Sequence, residues 1–135
     1  YMKELIVVCG IIKIQDTYLI ARRSGAIDAG YWEFPGGKVE AGETLEQAIA
    51  RELYEELHVQ VKAEKKLCQI VDQRPDVVLQ VHAFLCTLLN GIPRMHVHDA
   101  LRYVKAEELS NYRFQPADQP ILDALQNKKE ETAFP

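Results

Sequence analysis

Between Thr44 and His58, apolar residues recur at Leu45, Ile49, Leu53 and Leu57, the spacing of one amphipathic helix. The remaining apolar runs of the chain are strand-like, so this helix must find its partner on a sheet. Thr44 is a favoured N-cap and Gln47, three residues on, completes a capping box, which sets helix entry at Leu45. Leu5 to Ile14 is an apolar, β-branched run and Tyr18 to Ala21 is a second, with Gln15-Asp16-Thr17 as the hairpin turn between them. Arg22 to Tyr31, which holds Gly25, Asp28 and Gly30, reads as a loop. Trp32 to Phe34 reads as a short aromatic segment, and Pro35-Gly36-Gly37 as a break in regular structure. Further strands are expected at Val59 to Val61, Leu67 to Val71, Val77 to Leu89 and Leu101 to Val104, with a turn at Asn90-Gly91. A second helix is expected over Ile121 to Gln126 behind Pro120, and residues 128–135 as a frayed tail. Strands outnumber helices and do not alternate with them. That disfavours a doubly wound sheet and predicts an α+β fold with helices packed on a mixed sheet.

At 135 residues the chain suits one domain, residues 1–135, with a real hydrophobic core. Its formal net charge of −4 offers no basic footprint for duplex nucleic acid or an anionic membrane. A phosphate-bearing ligand would have to be met locally, by a few basic side chains or by metal ions. No apolar run reaches the length of a membrane span, and the N-terminal stretch lacks the layout of a secretory signal. The three cysteines show no metal-ligand spacing, and Cys9 and Cys86 sit in apolar runs. A reduced, cytoplasmic protein is expected, as a monomer or a homodimer.

The helix carries an unfavourable arrangement. On a helical projection Glu52 and Glu56 fall within about 20° of Leu45, at the edge of the apolar stripe, and Glu55 about 80° away. Carboxylates at these spacings repel, and partial burial adds a desolvation cost. Arg51, four residues before Glu55, is expected to hold one carboxylate and not all three. Two readings follow: a solvated acidic face, or a site for a hard divalent cation, which prefers oxygen ligands. The preceding Gly36-Gly37-Lys38 favours the second. Glycines let backbone groups approach a metal or phosphate closely, and Lys38 adds a mobile positive charge.

Gly37, Glu43, Arg51-Glu52-Leu53, Glu55-Glu56 and Val59, at their spacings over residues 37–59, resemble the Nudix box. Trp32-Glu33-Phe34-Pro35-Gly36-Gly37-Lys38 and Phe114-Gln115-Pro116-Ala117-Asp118-Gln119-Pro120 resemble the MutT-like branch, particularly the CTP pyrophosphohydrolases. The resemblance implies a mixed sheet between helices, with the box forming a loop-helix-loop. It implies hydrolysis of a nucleoside triphosphate to the monophosphate and pyrophosphate, a task that removes modified or surplus nucleotides such as CTP, dCTP or 8-oxo-dGTP. It also implies that Glu52, Glu55 and Glu56, with the Gly36 carbonyl, bind Mg²⁺ or Mn²⁺. Arg51 would orient the glutamates, Glu43 support the loop, and Lys38 contact phosphate. The alternative is a non-catalytic module that senses nucleotides or sugars.

Two positions depart from that pattern. His58 stands where the family has glycine, at a helix end that calls for a left-handed residue. The loop before the last strand carries Met95-His96-Val97-His98-Asp99, with Val97 at the place of a further glutamate. His98 or Asp99 could act as base in its stead, as could Glu55 or Glu56; the other reading of His96 and His98 is ordinary polar loop. For the base pocket, Asp118 and Glu33 are candidate acceptors for cytosine N4 or guanine N1 and N2, although Asp118 could instead cap the C-terminal helix. Phe34, Phe84 and His82 are candidates to pack around the base, and Arg22 and Arg23 to meet phosphate.

Overall fold

The computed structural model describes residues 3–25 and 30–133, with side chains as far as residue 126. Asp28 of the expected loop lies outside the described residues. The sheet has seven strands: β1 (Lys3–Ile14), β2 (Thr17–Arg23), β3 (Trp32–Glu33), β4 (Gly36–Lys38), β5 (Gln60–Gln73), β6 (Val77–Asn90) and β7 (His98–Val104). The helices are α1 (Leu45–Leu57) and α2 (Gln119–Ala133), and short 3-10 helices cover Ala106–Asn111 and Pro116–Asp118. The main path runs β3-β2-β1-β6-β5, with β4 on β1 and β7 on β2. β1 and β6 run parallel and the other pairs antiparallel, so the sheet is mixed as expected.

Alternation along the strands puts one helix on each face. Val8 and Ile12 of β1 and Leu19 of β2 meet Ile49, Leu53 and Leu57 of α1, whereas Cys9, Ile11, Tyr18 and Ile20 meet Ile121, Leu122 and Leu125 of α2. Ile49, Leu53 and Leu57 are all fully buried, each worth about 1.5–3 kcal/mol relative to exposure. Gly10 lets the helix sit directly on β1: a Cβ there would lie 2.8 Å from Leu53 Cδ2. No described helix is long and apolar enough to cross a membrane.

Several elements differ from the sequence expectation, among them β7, which begins at His98 and not at Leu101. Gly36–Lys38 is a strand on β1, because a Cβ on Gly36 would fall 1.9 Å from the Val8 carbonyl oxygen and only glycine allows that approach. β2 runs on to Arg23, its end held between β3 and β7. β5 is one strand through the polar stretch 62–66, bent by irregularities at Ala63/Lys65 and Lys66/Cys68. α2 continues to Ala133.

Candidate active site

Local signals fix the start of α1. Thr44 Oγ1 accepts from the Gln47 amide at 3.1 Å, and Gln47 Oε1 accepts from the Thr44 amide at 2.9 Å. This anchors the first turn of the helix whose later turns carry the acidic side chains. Glu52 is 17% exposed at its side chain and Glu55 56%, in line with their places beside and away from the apolar stripe.

Arg51 is the centre of this region. Its guanidinium donates to Glu43 Oε2 at 2.6 Å and Oε1 at 2.9 Å, to Glu52 at 3.0 Å, to Glu55 at 2.8 Å and to the Lys38 carbonyl at 3.0 Å. It therefore serves more carboxylates than the helical spacing alone suggested, because the 38–43 loop folds back to place Glu43 on the same guanidinium. Glu43 is drawn down to about 2, chiefly by Arg51 and further by the Glu40 amide. Gly37 closes the other side: a Cβ there would lie 2.4 Å from the Glu52 carboxyl carbon.

Glu56 is the acid that Arg51 does not reach. Its Oε1 is buried without a hydrogen-bond partner among the described residues. Burial pushes its carboxyl up to about 7, with the Glu33 and Glu52 charges adding and the His98 and Arg23 charges opposing. The structure brings Glu56 to within 4.8 Å of ligand atoms on Glu33 and His98. His98 is the first residue of β7 and is buried, with Nε2 2.8 Å from Glu33 Oε2; the polar-loop reading of His98 is overturned. Glu33 also accepts two hydrogen bonds from Arg23, at 3.0 and 2.9 Å. Burial alone would raise the Glu33 carboxyl, but His98 and Arg23 outweigh it and hold it below its ordinary range.

Asp99 turns the other way and pairs with Arg22 at 2.8 Å, in a partly exposed contact outside the cavity described next. Arg22 also lies 5.6 Å from the Trp32 ring centroid. Neighbouring residues on β2 thus part company, Arg22 toward Asp99 and Arg23 toward Glu33. His96 is exposed, with its ring 6.0 Å from that of His58.

Beside β4 lies a cavity of about 240 Å³, lined among others by Gly36, Gly37, Glu33, Arg23, Phe34 and Asp118. Phe34 is buried and stacks on Phe114, with centroids 5.4 Å apart. Asp118 ends the 3-10 helix that runs straight into α2, immediately before Gln119; Gln115, at the N-cap of that 3-10 helix, makes no side-chain capping hydrogen bond. Burial, with Glu33 and Asp72 nearby, pushes the Asp118 carboxyl up to about 6. Asp72, Arg74, Gln115 and Tyr31 line the same cavity and were not singled out from the sequence. Phe84 belongs instead to the core under α1, and His82 shares its parity along β6.

The residues suit a hard divalent cation. Glu52, Glu55 and Glu56 supply oxygen donors on one helix, a Cβ at Gly37 would fill the space against Glu52, and the buried Glu56 Oε1 lacks a counterpart.

A family model described as NUDIX domain matches residues 3–125. The chain is 36% identical over 125 residues to the CTP pyrophosphohydrolase of Escherichia coli (strain K12), covering 92% of this chain and 93% of that one. It is 30% identical over 126 residues to the 8-oxo-dGTP diphosphatase of the same strain, covering 92% and 98%. The solution structure of the E. coli ORF135 protein superposes with a TM-score of 0.85 at 32% identity, over 99% of this chain and 96% of that one. With the box, the fold and these relatives in agreement, the chain belongs to the Nudix hydrolase family, in its MutT-like branch.

Proposed function

We propose that this chain is a Mg²⁺-dependent nucleoside triphosphate pyrophosphohydrolase, acting in the cytoplasm to remove modified or surplus nucleotides. It would break the bridge between the α- and β-phosphates of a (d)NTP with water, giving (d)NMP and pyrophosphate. The observation that carries this reading is Glu52 lying against Gly37, tied with Glu55 to Arg51, beside a cavity lined by Gly36, Gly37 and Asp118. Glu52, Glu55, Glu56 and the Gly36 carbonyl would hold Mg²⁺ or Mn²⁺. When bound, the ion supplies the positive charge that offsets a polyphosphate and its reacting oxygens.

The chain's own residues divide the remaining work. Arg51 positions Glu52 and Glu55 and ties the 38–43 loop to the helix through Glu43 and the Lys38 carbonyl. Lys38, exposed at the end of β4, meets phosphate. Arg23 is committed to Glu33 and shapes the cavity wall, while Arg22, paired with Asp99, stands apart from it. Asp99 thereby leaves the set of candidate bases, and Glu56, Glu55 or His98 accepts the proton. Asp118 reads the base: a carboxylate accepts from cytosine N4, or from guanine N1 and N2. The relatives named for CTP and for 8-oxo-dGTP bracket these two options, and a pyrimidine is favoured. A panel of canonical, oxidised and methylated (d)NTPs with Mg²⁺, ranked by kcat/KM, tests this. CTP or dCTP types should lead; inactivity on every member would favour a nucleotide- or sugar-sensing module.

A further inference from the structure

Glu33, Glu56 and His98 come from β3, α1 and β7, and each puts one ligand atom within 4.8 Å of the other two. The His98 side chain is fully buried, and its Nδ1 has no hydrogen-bond partner among the described residues. Glu56 Oε1 is in the same condition. A buried polar atom left unsatisfied costs ~1–3 kcal/mol, and more for a charged group. In a group of three residues whose ligand atoms converge, with His98 Nε2 already turned to Glu33, the unpaired Glu56 Oε1 calls for an occupant. Arg23 answers Glu33 with two hydrogen bonds, but no such contact supplies Glu56 Oε1.

The donor set says what that occupant is. Three carboxylates on α1 alone suit Mg²⁺. The cluster here adds an imidazole nitrogen, which Mg²⁺ binds poorly and first-row transition ions bind well. The loop before β7 offers the exposed Val97, which has no ligand atom, and the next residue, His98, turns inward. We propose that Glu33, Glu56 and His98 form a mixed nitrogen–oxygen cation site that takes a first-row divalent ion such as Mn²⁺ or Zn²⁺ ahead of Mg²⁺. The inference rests on the proposed function through Glu56, which this site shares with the Mg²⁺ site on α1.

Electron spin echo spectroscopy of Mn²⁺ bound to the whole protein, without nucleotide, tests it. The expected spectrum shows nitrogen modulation from a coordinated imidazole, and it persists against equimolar Mg²⁺. In His98→Gln the modulation disappears and Mn²⁺ affinity falls at least ~tenfold, while Mg²⁺ affinity is nearly unchanged. Should His98→Gln fail to fold, a His58→Gln/His96→Gln variant, altered only at exposed rings, must keep the signal. A wild-type spectrum with oxygen ligands only, or a signal that His98→Gln retains, overturns the site. Those results would leave the hydrolase reading intact if the nucleotide panel is active. Imidazole-bound Mn²⁺ in a protein inert on that panel would instead keep this site and remove the hydrolase reading.

Discussion

Glu55 and Glu56 are adjacent, yet the structure treats them differently. Glu55 is over half exposed and bonded to Arg51, and Glu56 is turned inward with one oxygen unpaired. If both serve the ion that neutralises the phosphates, Glu55→Gln and Glu56→Gln each lower kcat at least ~hundredfold, with circular dichroism unchanged. Wild-type turnover in both variants would refute their roles. Asp118 gives a prediction in pH. Its folded-state carboxyl keeps its proton up to about pH 6, while the unfolded chain releases it near 3.8. The native state therefore binds more protons in that window, and stability falls as pH rises through it. Asp118→Asn should be the more stable protein above pH 6, by about 1–2 kcal/mol after allowance for partial exposure, with the difference gone below pH 4. Thermal melts at both pH values check this. At this scale the sequence exposed the acids and Asp118, because motif positions and residue type carry them. It hid the inward turn of His98, because β7 begins earlier than its apolar signal at Leu101.

The loop and helix that hold the acids depend on two glycines with different neighbours. An added Cβ at Gly36 meets β1 backbone, whereas at Gly37 it meets the end of a flexible carboxylate. Gly36→Ala should destabilise by at least ~2 kcal/mol, seen as a lower Tm. Gly37→Ala should displace Glu52, losing most turnover with Tm nearly unchanged. Equal Tm losses in both would contradict this account. At the other end of α1, His58 adopts φ 59° and ψ 39°, and its amide donates to the Tyr54 carbonyl. His58→Gly removes that strain and should raise stability by up to ~1 kcal/mol, or about 2–4 °C in Tm, with turnover unchanged. A large drop in turnover would give His58 a catalytic task. The limits of α1 were legible because caps are local chemistry. β4 was not, since glycines signal a break and only the approach of β1 makes them a strand.

Across the whole molecule, residues 33, 56 and 98 come from separate elements and meet only through the order in which those elements pack. β2 holds β3 on one side and β7 on the other, which brings Glu33 and His98 together. α1 approaches from its own face to add Glu56. No spacing along the chain encodes that meeting, so the α+β class and the acidic helix could be read from sequence and the Glu33–Glu56–His98 cluster could not. In the proposed reaction this assembly cuts a nucleoside triphosphate between its α- and β-phosphates with the help of a divalent ion. Phosphorus NMR of CTP incubated with the protein, with and without Mg²⁺, tests it most directly. CMP and pyrophosphate should accumulate together only when Mg²⁺ is present. Formation of CDP and inorganic phosphate, or equal cleavage without the ion, would contradict the account.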